Sequence, residues 1–273
     1  MPVHPLSETA WPVAMLTSLR GVLCDIDGTI TTDGRLTAAA YGALERFQEA
    51  GLLVVLVTGR PAGWCDLIAR FWPVSAVVGE NGAFYFRYDH GGRRMIRRYA
   101  RSDAERAQDR ERLRAIGAEV LSQVAGAGIA ADQPYREADL AIDWCEDVPA
   151  LAAAEVQRIV GVLERHGLTV KVSSIHVNAW FGEHDKRSMT RLLLREQFGI
   201  DVDAERERLA YVGDSPNDEP MFAFFPNSFA VANIAAFLDQ LTHRPAYVTT
   251  GAEGRGFAEF AQRLLAARGN SPA

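Results

Sequence analysis

Gly21-Val22-Leu23-Cys24-Asp25-Ile26-Asp27-Gly28-Thr29 is the stretch on which the fold turns. A short apolar run leads into two aspartates one residue apart and then a Gly-Thr turn. Such a run is expected of a strand buried on both faces of a parallel sheet. Its polar residues then lie beyond the carboxyl end of the strand, where doubly wound sheets bind their ligands. Two further runs have the same form. Leu52 to Val57 ends in Thr58, Gly59 and Arg60, and Leu209 to Gly213 ends in Asp214, followed by Ser215, Asn217 and Asp218.

Helical segments separate these strands. Ala40, Leu44 and Phe47 have helical spacing in the stretch Thr37 to Gly51, and Gly51 closes it. Pro61 and Gly63 sit where a second helix begins. A third strand, Ala76 to Val78, precedes the turn Glu80-Asn81-Gly82. The alternation predicts an α/β fold, a doubly wound, Rossmann-like parallel sheet. The character changes after Gly82. Strands rich in aromatics and charge (Ala83 to Tyr88, Arg94 to Tyr99) precede a charged helix from Ser102, with Glu105 as its capping-box partner. Asp139 to Trp144 reads as a half-buried strand, Pro149 to His166 as a helix, and Leu168 to Phe181 as an alternating strand or strand pair. The parallel pattern returns with a helix from Asp185, the strand at Leu209, strands at Ser228 to Ala232 and Ala246 to Thr249, and a last helix from Gly256. The expected organisation is a discontinuous core, 20–83 and 184–273, holding an inserted α+β cap at 84–183 behind an irregular lead-in, 1–19.

Composition narrows the classes. The 273 residues suit about two domains, with 48% hydrophobic and 23% charged residues. A net charge of -6 argues against nucleic acid or an anionic membrane surface as partner. No apolar run approaches the roughly 18 residues of a membrane span. Three scattered cysteines, Cys24, Cys65 and Cys145, suit a reducing compartment, and the first twenty residues do not look like a signal peptide. A cytoplasmic location is expected, and the oligomeric state is left open.

The residues at the three strand ends fit one chemistry. Asp25, Asp214 and Asp218 are the hard oxygen donors that Mg²⁺ prefers. Like charges packed together call for a cation. A carboxylate can attack phosphorus to give an acyl phosphate. Asp27, two residues on, can protonate a leaving oxygen and later deprotonate water. Thr58 offers a hydroxyl and an N–H to phosphoryl oxygens, and Lys186 at a helix start can offset their charge.

In this order Asp25-Ile26-Asp27-Gly28-Thr29, Thr58-Gly59-Arg60, Asp185-Lys186-Arg187 and Gly213-Asp214-Ser215-Pro216-Asn217-Asp218 resemble the four motifs of the haloacid dehalogenase-like phosphatases. The insertion between the second and third motifs looks like the type IIB cap, whose subgroup holds sugar-phosphate phosphatases and phosphomannomutases. The resemblance implies Asp25 as nucleophile and Asp27 as general acid/base. It implies Mg²⁺ held by Asp25, the Asp27 carbonyl and Asp214, with Asn217 or Asp218 in support. Gly28, Thr29, Gly59 and Asn217 are expected around the phosphoryl group. Asn81 has a turn role and a functional role open to it. The expected activity is hydrolysis of a small phosphomonoester, a sugar phosphate by subgroup; a phosphomannomutase-like phosphotransfer is the alternative, against which the short GDSPND motif counts.

Specificity is expected in the cap. Ser174, His176, Asn178 and Trp180 alternate with Ile175, Val177 and Ala179, so the polar set shares one strand face. That face suits a sugar lying over the core, or else it is a solvated outer surface. Arg60 and Arg136 are candidates to hold a distal anion.

Overall fold

The computed structural model describes residues 11–269. Eight strands form the main sheet, in the spatial order Tyr247–Val248, Asn227–Ala230, Leu209–Gly213, Gly21–Cys24, Leu53–Val57, Ala76–Gly79, Phe84–Asp89, Arg94–Tyr99. The first six are parallel, and Gly21–Cys24 lies between Leu209–Gly213 and Leu53–Val57. Every residue of Gly21–Cys24 and Leu209–Gly213 is buried, as expected of strands covered on both faces. Ala38–Glu49, Ala62–Phe71 and Glu253–Ala267 cover one face around Phe47, Phe257 and Phe260. Lys186–Phe198 and Glu219–Phe224 cover the other around Leu193, Tyr211 and Phe225.

Two expected boundaries differ in the structure. Strands 84–89 and 94–99, placed in the inserted unit from the sequence, belong to the main sheet: Phe84–Asp89 pairs antiparallel with Ala76–Gly79, and Arg94–Tyr99 adds to its outer edge. The aromatic run explains this. Phe84 and Phe86 pack into one core layer while Tyr85 faces the other. The lead-in is not irregular throughout, because Val13–Ser18 is a helix. Trp11 is buried with its ring centroid 4.9 Å from that of Phe229. The rest of the expected lead-in, residues 1–10, lies outside the described residues.

The insertion proper runs as helix Asp103–Gln123, strands Gly128–Ile129 and Leu140–Asp143, helix Ala153–Arg165, and strands Thr169–Val172 and His176–Trp180. Ser102 and Glu105 form the expected capping box. The four strands make an antiparallel sheet with His176–Trp180 in its interior. Leu140–Asp143 is buried throughout rather than half-buried, because helices cover one of its faces and the core the other. Val177 and Ala179 pack beneath the cap helices against Ile142, Ile159 and Leu163. The period of two then turns His176 and Asn178 towards the core.

Candidate active site

Asp25 is the first residue past Gly21–Cys24, and its N–H donates to the Val212 carbonyl of the neighbouring strand. The next strand over supplies Asp214 and Asp218. One carboxylate oxygen from each of Asp25, Asp214 and Asp218 lies within 4.8 Å of the others, and all three residues are buried. Lys186, the first residue of its helix, reaches this cluster. Its Nζ donates to Asp25 Oδ1 at 2.9 Å and to Asp218 Oδ1 at 2.7 Å. Asp218 also accepts from the Tyr211 hydroxyl at 2.5 Å and from the N–H of Asp214 and Ser215. Asp214 Oδ2 accepts from Asn233 Nδ2 at 2.9 Å, and Oδ1 accepts more distantly, at 3.5 Å, from Thr29 Oγ1.

Gly28 is required where it stands. Its φ is +71°, and a Cβ there would lie 2.3 Å from Asp214 Oδ2. Gly82 allows another close approach: at φ +104°, a Cβ would lie 2.1 Å from the Asp185 carbonyl oxygen. The turn at residues 80–82 is thereby seated against the start of the Lys186 helix.

The electrostatics of the cluster are those of too many acids in a dry place. Burial pushes the Asp25 carboxyl up to about 7, although Lys186 pulls it back in part while Asp218 and Asp27 add to the rise. Burial, then Asp218 and Asp25, lift Asp214 well above the carboxylate range. For Lys186 burial acts downward, but Asp218 and Asp25 outweigh it and hold the ammonium above an ordinary lysine. An all-oxygen donor set with this excess of negative charge fits a hard divalent cation such as Mg²⁺.

Arg60 joins the core to the cap. Its Nε lies 2.9 and 3.0 Å from the two Asp27 carboxylate oxygens. Its Nη1 reaches Asp132 at 3.4 Å and its Nη2 reaches Glu146 at 2.8 Å, both in the cap. Arg136 donates to Asp132, to Asp139 and to the Gly59 carbonyl, and its side chain is fully buried. It ties core to cap from the wall of the space between them. Glu80 is a second tie: its carboxylate accepts the N–H groups of Ala62 in the core and of Glu137, Ala138 and Asp139 in the cap.

Most of the expected site residues converge. Asp25, Asp27, Gly59, Arg60, Ser174, His176, Asn178 and Asn217 line one enclosed space between core and cap, of about 20 Å³. A wider cleft of about 360 Å³ leads to it past Gly28, Asp214, Glu146 and Ser174. The strand face bearing His176 and Asn178 is not a solvated surface: both are 2% exposed, and Asn178 Nδ2 donates to Asp139 Oδ2 at 2.9 Å. Trp180 is directed elsewhere, with its indole N–H on the His184 carbonyl. Thr58 is buried and its hydroxyl accepts the Arg60 N–H. Asn81 adopts φ 55° and stacks its amide against Gly59, with Nδ2 lacking a hydrogen-bond partner. It has both the turn geometry and the proximity that the sequence left as alternatives. Residues missed in the sequence are Tyr211, Asn233, Glu80, Asp139 and Glu146. Asn233, Glu80 and Glu146 meet partners distant in the chain, so no local spacing marks them, and Tyr211 and Asp139 lie inside strand patterns that read as core.

Comparison with known proteins gives the family and the fold. Residues 19–225 match the family model of the haloacid dehalogenase-like hydrolases. A phosphoglycolate phosphatase of Methanothermobacter thermautotrophicus is 28% identical over 255 residues, covering 90% of this chain and 99% of its own. Phosphoglycolate phosphatase 1 of Saccharolobus solfataricus is 27% identical, with 89% and 95% covered. Among solved structures, the C-terminal domain of the C. albicans trehalose-6-phosphate phosphatase superposes with a TM-score of 0.69 at 14% identity, covering 96% and 99%. The sucrose-phosphatase of Synechocystis, solved with sucrose and phosphate, gives 0.62 at 14%, covering 90% and 98%. These likenesses show the core-and-cap fold. The chain belongs to the haloacid dehalogenase-like hydrolases, and it is a phosphoric monoester hydrolase. No helix among the described residues is long and apolar enough to cross a membrane.

Proposed function

We propose that the protein hydrolyses the phosphomonoester of a small phosphorylated carboxylic acid of the phosphoglycolate kind, through an aspartyl phosphate on Asp25. The observation that carries the choice of substrate is the inner space between core and cap. It is hardly larger than a water molecule and is walled by Arg60 and His176. A short phosphorylated acid offers a carboxylate to those two groups, and a neutral sugar ring does not. The full-length relatives named as phosphoglycolate phosphatases support the same reading and give no support to the phosphotransferase alternative.

Asp25 and Asp214, with the Asp27 carbonyl, would hold Mg²⁺. Asp218, already accepting from four donors, would orient Lys186 and the Asp214 loop instead of ligating. The ion, when bound, neutralises the phosphoryl oxygens and offsets the carboxylates. An Asp25 oxygen attacks phosphorus and the bond to the ester oxygen breaks, while Asp27, protonated for this step, gives that oxygen its proton. Asp27 then takes a proton from a water whose oxygen attacks phosphorus. The acyl phosphate bond breaks, freeing Asp25 and inorganic phosphate. Lys186 Nζ stays beside Asp25 throughout, and stabilises charge on the transferred oxygens. In the resting arrangement Arg60 holds the Asp27 carboxylate through both oxygens, so Asp27 must turn partly from Arg60 to act.

A phosphate-release assay with Mg²⁺ tests the reading, using phosphoglycolate, three-carbon phosphorylated acids, hexose phosphates and disaccharide phosphates. Highest kcat/KM is expected for the shortest acids. A preference for hexose or disaccharide phosphates contradicts the proposal.

A further inference from the structure

Glu146 sits in the loop that follows Leu140–Asp143, and its main chain is pinned. The Asp143 carboxylate accepts the N–H groups of Cys145 at 2.9 Å, Glu146 at 2.8 Å and Asp147 at 2.8 Å. The side chain, by contrast, lies across the rim of the active-site cleft and is 28% exposed. Its two oxygens each meet a deeply buried group. Oε1 is 2.8 Å from Arg60 Nη2, and Oε2 is 2.8 Å from His176 Nε2. The Arg60 and His176 side chains are only 5% and 3% exposed.

A guanidinium from the core and an imidazole from the cap thus converge on one carboxylate. That is the recognition chemistry of a carboxylate ligand. The remaining contacts of Arg60 fix its plane without Glu146: Asp27 on Nε and Nη2, Asp132 on Nη1, and the Trp64 ring 4.5 Å from the guanidinium carbon. His176 is fixed by its place in the interior strand of the cap sheet. The two donors would stay in position if Glu146 left, and a side-chain rotation towards the cleft is enough for it to leave.

We propose that Glu146 is a displaceable internal stand-in for the substrate's carboxylate. The inference rests on the proposed preference for phosphorylated acids. On binding, the substrate carboxylate takes the place between Arg60 and His176, and Glu146 swings into the cleft. One carboxylate replaces another, so the charge around the buried guanidinium does not change. A phosphomonoester without a carboxylate cannot make this exchange. It leaves Glu146 in place, narrowing the site, or expels it and strands two buried donors, which is unfavourable. Glu146 would thus turn the cap into a filter for substrate chemistry as well as size.

The test measures inhibition of p-nitrophenyl phosphate hydrolysis by two phosphonates of similar size, phosphonoacetate and ethylphosphonate. Wild type and Glu146→Gln are compared, with Glu146→Ala as a second variant that removes the arm altogether. Wild type is expected to bind phosphonoacetate more tightly than ethylphosphonate. Each variant is expected to tighten phosphonoacetate by about tenfold, the scale of losing a charged competitor, with little change for ethylphosphonate. Weaker phosphonoacetate inhibition in both variants overturns the proposal and makes Glu146 a support for Arg60 and His176. Equal changes for the two phosphonates also overturn it, because the effect would then not concern the carboxylate. If wild type and both variants all bind the two phosphonates equally, the preference for phosphorylated acids fails, and this inference with it.

Discussion

Lys186 Nζ stands 2.9 Å from Asp25 Oδ1, across 161 residues of chain. The contact closes the loop between the first strand and the helix that returns from the cap. It also supplies the cation nearest to three buried carboxyl groups. Removing one partner from a buried charge cluster typically costs about 3–5 kcal/mol. Lys186→Met should therefore lower stability by about that amount in the presence of a chelator, and Mg²⁺ should restore part of it. Urea denaturation with and without Mg²⁺ checks this. A variant as stable as wild type under both conditions would show that the cluster is not electrostatically strained.

Metal binding should depend on pH through Asp25. Burial raises its carboxyl to about 7 in the metal-free protein. A proton there competes with Mg²⁺, so apparent Mg²⁺ affinity should fall as the pH drops below about 7, with proton release on binding. Thermal shifts at several Mg²⁺ concentrations on either side of that pH measure it. Affinity that stays flat through neutrality contradicts the assignment of Asp25 as a ligand.

The turn at Gly28 leaves no room for a side chain beside Asp214. Gly28→Ala places a methyl 2.3 Å from Asp214 Oδ2 at a positive φ. Activity should drop at least about tenfold while the fold persists, since a misplaced ligand costs the chemistry more than the core. Unchanged kcat/KM for any phosphomonoester would mean that the position of Asp214 does not matter to turnover.

Glu80 anchors the cap through four main-chain N–H groups, those of Ala62, Glu137, Ala138 and Asp139. An unsatisfied buried donor costs about 1–3 kcal/mol, so Glu80→Ala should destabilise by about 3 kcal/mol or more. It should also make the segment 136–139 more open to proteolysis. Destabilisation under about 0.5 kcal/mol, typical of surface changes, would refute the anchoring role.

Acid should expose the pairing of Glu146. The close approach of His176 Nε2, 2.8 Å away, then Arg60, holds its carboxyl down to about 2, below the ordinary 4.5. Its ionised form contributes stability that is fully present above about pH 4.5 and is lost as the pH falls towards 2. The difference in Tm between wild type and Glu146→Gln should be largest above pH 4.5 and shrink on acidification. A difference that does not vary with pH speaks against the ion pair.

Where the chain builds the site from consecutive residues, the sequence was legible. Asp25 and Asp27, Thr58 to Arg60, Lys186, and Asp214 to Asp218 lie at strand ends or a helix start, and period and spacing locate those points. The alternation at His176 and Asn178 likewise predicted a shared strand face, and left open whether it lies over the core, as it does, or in solvent. What was hidden depends on partners distant in the chain. The hairpin 84–99 looked foreign to the core because its aromatics pack against both layers of a sheet whose other strands come from elsewhere. The Gly128–Ile129 strand is too short to carry a pattern. Arg136 offered a guanidinium in the sequence, and its partners Asp132, Asp139 and Gly59 show only in the structure. Glu80 in the core and Glu146 in the cap look like surface acids until the two units meet and bring Glu80 to the cap main chain and Glu146 to Arg60.

The most direct test is phosphate release from phosphoglycolate by purified Asp25→Asn with saturating Mg²⁺, beside wild type. The substitution keeps the shape and removes the attacking carboxylate, so kcat should fall by at least about a thousandfold, with native circular dichroism retained. Turnover within about tenfold of wild type in that variant would contradict Asp25 as the nucleophile, because an asparagine amide does not form the acyl phosphate.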